Sequence, residues 1–91
     1  MAKKKIKKYL RLRYLRSRFG LTQEFLGGMI GVSDTGYSLR ENGKTSWQLN
    51  ECIIIRNIIN EKLTEIGESA MTIEEIFYAD EVSKMTRKKS A

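Results

Sequence analysis

The strongest constraint on this chain is a link of two residues. Two segments of about nine residues each, from Thr22 to Gly31 and from Ser33 to Asn42, are joined only through Gly31-Val32. Both show helical spacing of apolar residues, with Leu26 and Ile30 forming the stripe of the first. A link that short cannot let two helices run side by side, so it forces them to cross sharply. Helices of this length are also unstable alone in water and need other helices to cover them.

The covering helices are legible on either side. From about Ile6 to Phe19, Tyr9, Leu12, Leu15 and Phe19 recur at spacings of three and four, and Gly20 follows as a stop. Thr22 and Ser33 are N-cap types, with Glu24 and Asp34 placed where a helix dipole favours an anion. The third segment stops at Asn42-Gly43. A fourth helix is expected from Thr45 or Ser46, with Thr45 and Gln48 spaced as a capping box and Leu49, Cys52 or Ile53, Ile55, Ile58 and Ile59 as its apolar side. Residues 63–71, with Gly67, Glu68 and Ser69, read as an extended loop or a frayed helix end. A short fifth helix starts at the Thr72–Glu75 box and is anchored by Ile73, Ile76 and Phe77. Residues 80–91 have little to bury and read as a disordered tail. Strand-like alternation is not sustained anywhere, so the fold class is all-α, in a single domain.

Charge narrows the function. The chain has 17 Lys and Arg against 11 Asp and Glu, a net of +6. Nine of those cations and no acid fall in residues 1–20, leaving the remainder at −3. A basic N-terminal arm, residues 1–8, on a mildly acidic body suits a polyanion, either nucleic acid or an anionic membrane surface. A membrane-surface helix over residues 3–18 is disfavoured, because the core needs Leu12 and Leu15 and too little apolar surface is left for lipid.

Enzyme chemistry finds no support. There is no histidine, no Gly-rich phosphate loop and no metal-ligand cluster, so no cofactor is expected. Cys52, the single cysteine, sits in Cys-Ile-Ile-Ile and reads as a buried inert thiol. Glu74-Glu75 opens a helix and is not a catalytic pair. No apolar run exceeds four residues, against about 20 for a membrane span and about 7–15 for the core of a signal peptide. With one cysteine no internal disulfide can form, and a reducing, cytoplasmic setting is the natural expectation.

The stretch Gly20-Leu-Thr-Gln-Glu-Phe-Leu-Gly-Gly-Met-Ile-Gly-Val-Ser, followed by Tyr37-Ser-Leu-Arg-Glu-Asn-Gly-Lys44, resembles the Cro and phage-repressor type helix-turn-helix family. Tyr-Ser-x-x-Glu-Asn-Gly-Lys resembles the variety found in small prophage-encoded regulators, and Met71 to Phe77 resembles the short closing helix. The resemblance covers roughly residues 9–79 and implies a five-helix, lambda-repressor-like DNA-binding domain. In such a domain Gly27 is the small residue at the helix crossing, Val32 and Tyr37 plug the core, and Arg16 pairs with Glu41. Arg16 as one more phosphate-binding cation is the alternative.

The same resemblance assigns the DNA contacts. Thr22 and Gln23 face one phosphate strand. Ser33, Asp34, Thr35 and Ser38 reach base edges in the major groove, with Leu39 against a thymine methyl. Asn42, Gly43 and Lys44 hold the other strand, with backbone N–H groups exposed where the helix ends. Lys3, Lys4 and Lys5 track phosphates or enter a groove. No Arg, Lys, Asn or Gln occurs in residues 33–39, so the strong bidentate base pairings are absent and room is left for shape readout. Asp34 can accept from cytosine N4 or simply favour its helix N-terminus, and both roles stay open.

Two function classes follow. The first is a sequence-specific double-stranded DNA-binding transcriptional regulator, a Cro-like repressor of a phage or mobile element. It would act as a homodimer in the cytoplasm of a bacterial cell or phage-infected host. Candidate dimer surfaces are Leu10 with Tyr14, the exposed parts of Trp47 and Ile54, and Phe77-Tyr78. The second is a protein-interaction module on the same fold, such as an antitoxin or an antirepressor-like partner.

Overall fold

The computed structural model describes residues 8–79, and the arm residues Lys3, Lys4 and Lys5 and the tail 80–91 lie outside them. Five helices follow in order: α1 Leu10–Arg18, α2 Gln23–Ile30, α3 Asp34–Glu41, α4 Leu49–Glu65 and α5 Ile73–Phe77. No strand occurs among the described residues, and the class is all-α, of the lambda-repressor-like kind.

The helix ends explain the layout. α1, α2, α3 and α4 each close on a glycine with positive φ: Gly20, Gly31, Gly43 and Gly67. In each case the residue after the glycine donates its N–H five residues back. Leu21 reaches the Arg16 carbonyl, Val32 that of Gly27, Lys44 that of Leu39 and Glu68 that of Leu63, all at 2.8–2.9 Å. This closure satisfies carbonyls the helix leaves unpaired and turns the chain at once. At Gly31, with φ 84°, it lets α3 start with three residues between it and the end of α2.

α2 and α3 pack on each other, α4 lies under α2, and α5 bridges α1 and α4. Leu12, Leu15, Leu26, Tyr37, Ile55, Ile59, Leu63, Ile76 and Phe77 form the core, with Cys52 at its edge. Gly27, inside α2, faces the turn that leads into α3. A Cβ there would stand 2.9 Å from the backbone oxygens of both Val32 and Ser33, so no larger residue fits without moving the start of α3. An aromatic cluster closes the far side. Trp47 meets Phe77, Tyr37 and Tyr9 edge-on at centroid distances of 5.0, 5.8 and 6.2 Å.

Three expectations are corrected. α1 begins at Leu10: Tyr9 is not helical, because its N–H is held by the Glu41 carbonyl at 3.0 Å. α4 begins at Leu49, and the Thr45–Gln48 box does not start it. Glu51 instead accepts from the Gln48 N–H at 3.0 Å, while Trp47 is drawn into the aromatic cluster ahead of the helix. In that register Cys52, Ile55, Ile59 and Leu63 face inward and Leu49 is exposed. α4 also runs to Glu65, which makes Leu63 a core residue and not part of a loop. The connection that follows is pinned. Asn60 donates to and accepts from the Met71 backbone at 2.9 and 2.8 Å, and Arg18 forks onto Glu68 at 3.0 and 2.6 Å.

Candidate nucleic-acid interface

The sequence starts α2 and α3 with hydroxyl caps, and both form. The Thr22 hydroxyl accepts from the Phe25 N–H at 3.0 Å, and the Ser33 hydroxyl accepts from the Gly36 N–H at 3.0 Å. Asp34 follows at the first position of α3, with Oδ1 accepting the Thr35 N–H at 2.8 Å. The α1–α2 turn and the tip of α3 share one open groove, lined by Gly20 to Glu24 on one side and Asp34 on the other. Thr22, Gln23 and Asp34 are thereby brought to a common surface. Ser33, Asp34 and Thr35 are exposed, Ser38 is half-buried, and Leu39 is exposed one turn further along α3.

What holds this surface is a buried carboxylate. Glu41, only 2% exposed, accepts from Arg16 through Nε at 2.9 Å and Nη2 at 3.1 Å. It accepts also from the Tyr37 hydroxyl at 3.0 Å and from Gln23 Nε2 at 3.3 Å, with Arg13 Nε 3.9 Å away. α1, α2 and α3 thus meet on one side chain, and the Glu41 carbonyl anchors Tyr9, just ahead of α1. The hydrogen bond to Glu41 holds the Arg16 guanidinium pKa above its ordinary value. Burial first, and then the Glu41 charge, push the Tyr37 hydroxyl up, so it stays a neutral donor. Arg16 is therefore engaged with Glu41. Gln23 offers one of its two amide hydrogens inward to Glu41.

The far end of α3 differs from expectation. Its backbone N–H groups are not exposed donors. Those of Asn42, Gly43, Lys44 and Thr45 bond back to Ser38, Arg40, Leu39 and Leu39. The Asn42 amide also turns back, donating to the Ser38 carbonyl at 2.9 Å and to its hydroxyl at 3.3 Å. The same glycine closure that ends the helix uses these donors, which leaves Lys44, exposed, as the cation at this end.

Arg40 is the functional residue that sequence reasoning missed. It lies on α3 and could have been a DNA contact. Instead its Nε and Nη2 fork onto Glu51 at 3.0 and 3.2 Å, and Nη1 donates to the Gly36 carbonyl at 3.1 Å. It ties α3 to the start of α4 and is withdrawn from the groove-facing side.

No group of three or more His, Cys, Asp or Glu side chains that could hold a metal occurs among the described residues. No described helix is long and apolar enough to cross a membrane. Burial pushes the Cys52 thiol up to about 11, away from nucleophile behaviour.

A family model described as helix-turn-helix matches residues 12–66, from within α1 to just past the end of α4. The chain belongs to that family and is a DNA-binding helix-turn-helix protein. Within that class it is an XRE-like regulator. No curated protein and no solved structure matches the chain.

Proposed function

We propose that this protein is a sequence-specific transcriptional regulator, a Cro-like repressor of a phage or mobile element, which acts by occupying a promoter and excluding polymerase. The observation that carries the reading is the pairing of two capped helix starts on one open groove, lined by Thr22 at the start of α2 and Asp34 at the start of α3, and braced by Glu41. In this reading α3 lies in the major groove. Ser33, Asp34, Thr35 and Ser38 reach base edges and Leu39 meets a thymine methyl. Thr22 and Gln23 face one phosphate strand, while Asn42 and Lys44 stand near the other.

Lys3, Lys4 and Lys5, which precede Tyr9 in the chain, add phosphate contacts in this reading. A module this small reads few base pairs, and a homodimer on a palindrome is the economical answer. Of the candidate dimer surfaces, Leu10, Tyr14 and Tyr78 are exposed, whereas Phe77 is buried in the core and Ile54 is half-buried.

The test is a fluorescence titration of the full chain against DNA flanking its own gene and against scrambled DNA, across salt concentrations. About four to six neutralised phosphates predict a log–log salt slope of roughly −4 to −5 per monomer. Preference for flanking DNA, lost in Thr35→Ala, supports the proposal. Equal binding to both that vanishes on removal of residues 1–5 contradicts it and turns attention to a protein partner.

A further inference from the structure

Resting on that reading, we infer that Asp34 is a specificity-determining residue that selects a cytosine in the major groove. The argument starts from what the exposed start of α3 offers. Ser33, Asp34 and Thr35 are exposed, and Gly36 adds no side chain. Arg40, the one cation on α3, is held by Glu51 and the Gly36 carbonyl. The surface therefore presents hydroxyls and one carboxylate, and no guanidinium or ammonium.

The carboxylate is half engaged. Oδ1 accepts the Thr35 N–H at 2.8 Å, which fixes the side chain at the helix tip. Among the described residues no donor meets Oδ2 and no cation pairs with Asp34. An unpaired carboxylate oxygen beside DNA is repelled by phosphate and by base acceptors, so it is tolerated only opposite a donor. In the major groove the donors are the exocyclic amines of cytosine and adenine. Guanine presents N7 and O6, both acceptors, and thymine presents O4. Adenine sets its N7 acceptor beside the amine, whereas cytosine N4 has no acceptor next to it on that edge. Cytosine is thus the base whose own edge offers Oδ2 a donor with no acceptor on the same base beside it.

The substitution Asp34→Asn is a sharp test because it keeps the bond to Thr35 and changes only the other atom. With its amide oxygen on the Thr35 N–H, the asparagine offers an N–H₂ donor where Oδ2 stood. Preference should move from cytosine to bases that present acceptors. Asp34→Ala should erase the preference without creating another. Both variants also remove a negative charge near DNA, which adds the same favourable electrostatic change on every sequence. The readout is therefore the ratio between sequences at one salt concentration, which a helix-capping role for Asp34 does not move.

Full-length wild type and both variants would be selected in parallel on a duplex library with a randomised core. Each position of the wild-type consensus would then be exchanged singly in binding titrations. One C·G pair should be required by wild type, with exchange to T·A costing about tenfold, the lower part of the range for a good base contact. That penalty should disappear in Asp34→Ala and invert in Asp34→Asn. Identical base preferences in all three proteins would overturn the inference while leaving the regulator reading intact. No sequence preference in wild type at any salt would overturn both.

Discussion

Removing the buried Glu41 carboxylate should destabilise this protein strongly. Glu41→Ala strips the partner from Arg16, whose side chain is only 16% exposed, and from the Tyr37 hydroxyl, which is fully buried. Breaking a buried ion pair from one side costs about 3–5 kcal/mol, because the charge left behind is uncompensated. The lower end applies here, since Arg16 keeps its Nη1 bond to the Leu21 carbonyl at 3.3 Å and some access to water. The expected loss is about 3 kcal/mol, out of roughly 5–14 kcal/mol for a chain of 91 residues. At about 4–8 °C per kcal/mol, the melting temperature should fall by about 12–24 °C.

Urea unfolding followed by the fluorescence of Trp47, the single tryptophan, gives the midpoint and slope directly. Arg16→Met should cost a comparable amount, because it strands the carboxylate. The double change Arg16→Met with Glu41→Leu should recover most of the loss, since neither charge is then left unpaired. A loss below about 1 kcal/mol for Glu41→Ala, the size typical of an exposed pair, would refute the reasoning. So would additivity in the double variant.

Neighbouring glycines on α2 should respond with opposite signs. Gly27→Ala places a methyl 2.9 Å from two backbone oxygens and should destabilise by about 1–2 kcal/mol, the overpacking cost less the helix-propensity gain. Gly28→Ala meets nothing within 4 Å and should stabilise by up to about 1 kcal/mol in the same urea assay. Acid should weaken the fold partly through Glu51. Its burial alone would raise its pKa, but Arg40 and the Gln48 N–H outweigh that and hold it below the usual carboxylate range. A depressed folded value confers stability above the unfolded pKa of about 4.3, which is lost as pH falls through the folded value. Urea midpoints measured below about pH 4.3 should therefore fall less steeply in Glu51→Gln than in wild type.

The helix boundaries that were readable are those set by neighbours in the chain. Thr22, Ser33 and the Thr72–Glu75 pair cap the backbone within three residues, and a glycine closes each of the first four helices. Such requirements are local, so residue type and spacing display them. The start of α4 was misread for a non-local reason. Thr45 and Gln48 have the spacing of a box, but Glu51 is fixed by Arg40, eleven residues earlier, and Trp47 by rings from three other parts of the fold. The inward turn of Asn42 and Arg40 was hidden for the same reason. A side chain's type tells what it can donate, and only the packing tells where the donation goes.

That distinction bears on why a charged residue, rather than an apolar one, joins α3 to the scaffold. An apolar plug at position 41 would hold α3 at the right distance, since dispersion contacts have little directional preference. It would do less to set the rotation of the helix about its own axis. Glu41 receives donors from Arg16 on α1 and Gln23 on α2, and from Tyr37 one turn back on α3. Bonds from separate elements converging on one carboxylate restrain rotation as well as distance, because each has an angular optimum. Rotation decides which residues of α3 reach outward. A turn of about 100° moves the outward position by one residue, from Asp34 or Thr35 to a neighbour. The surface that would read bases is weak in donors, so its orientation has to be held with more care than its chemistry alone would demand. In this chain the buried ion pair supplies that orientation, and the exposed carboxylate of Asp34 is the group whose aim depends on it.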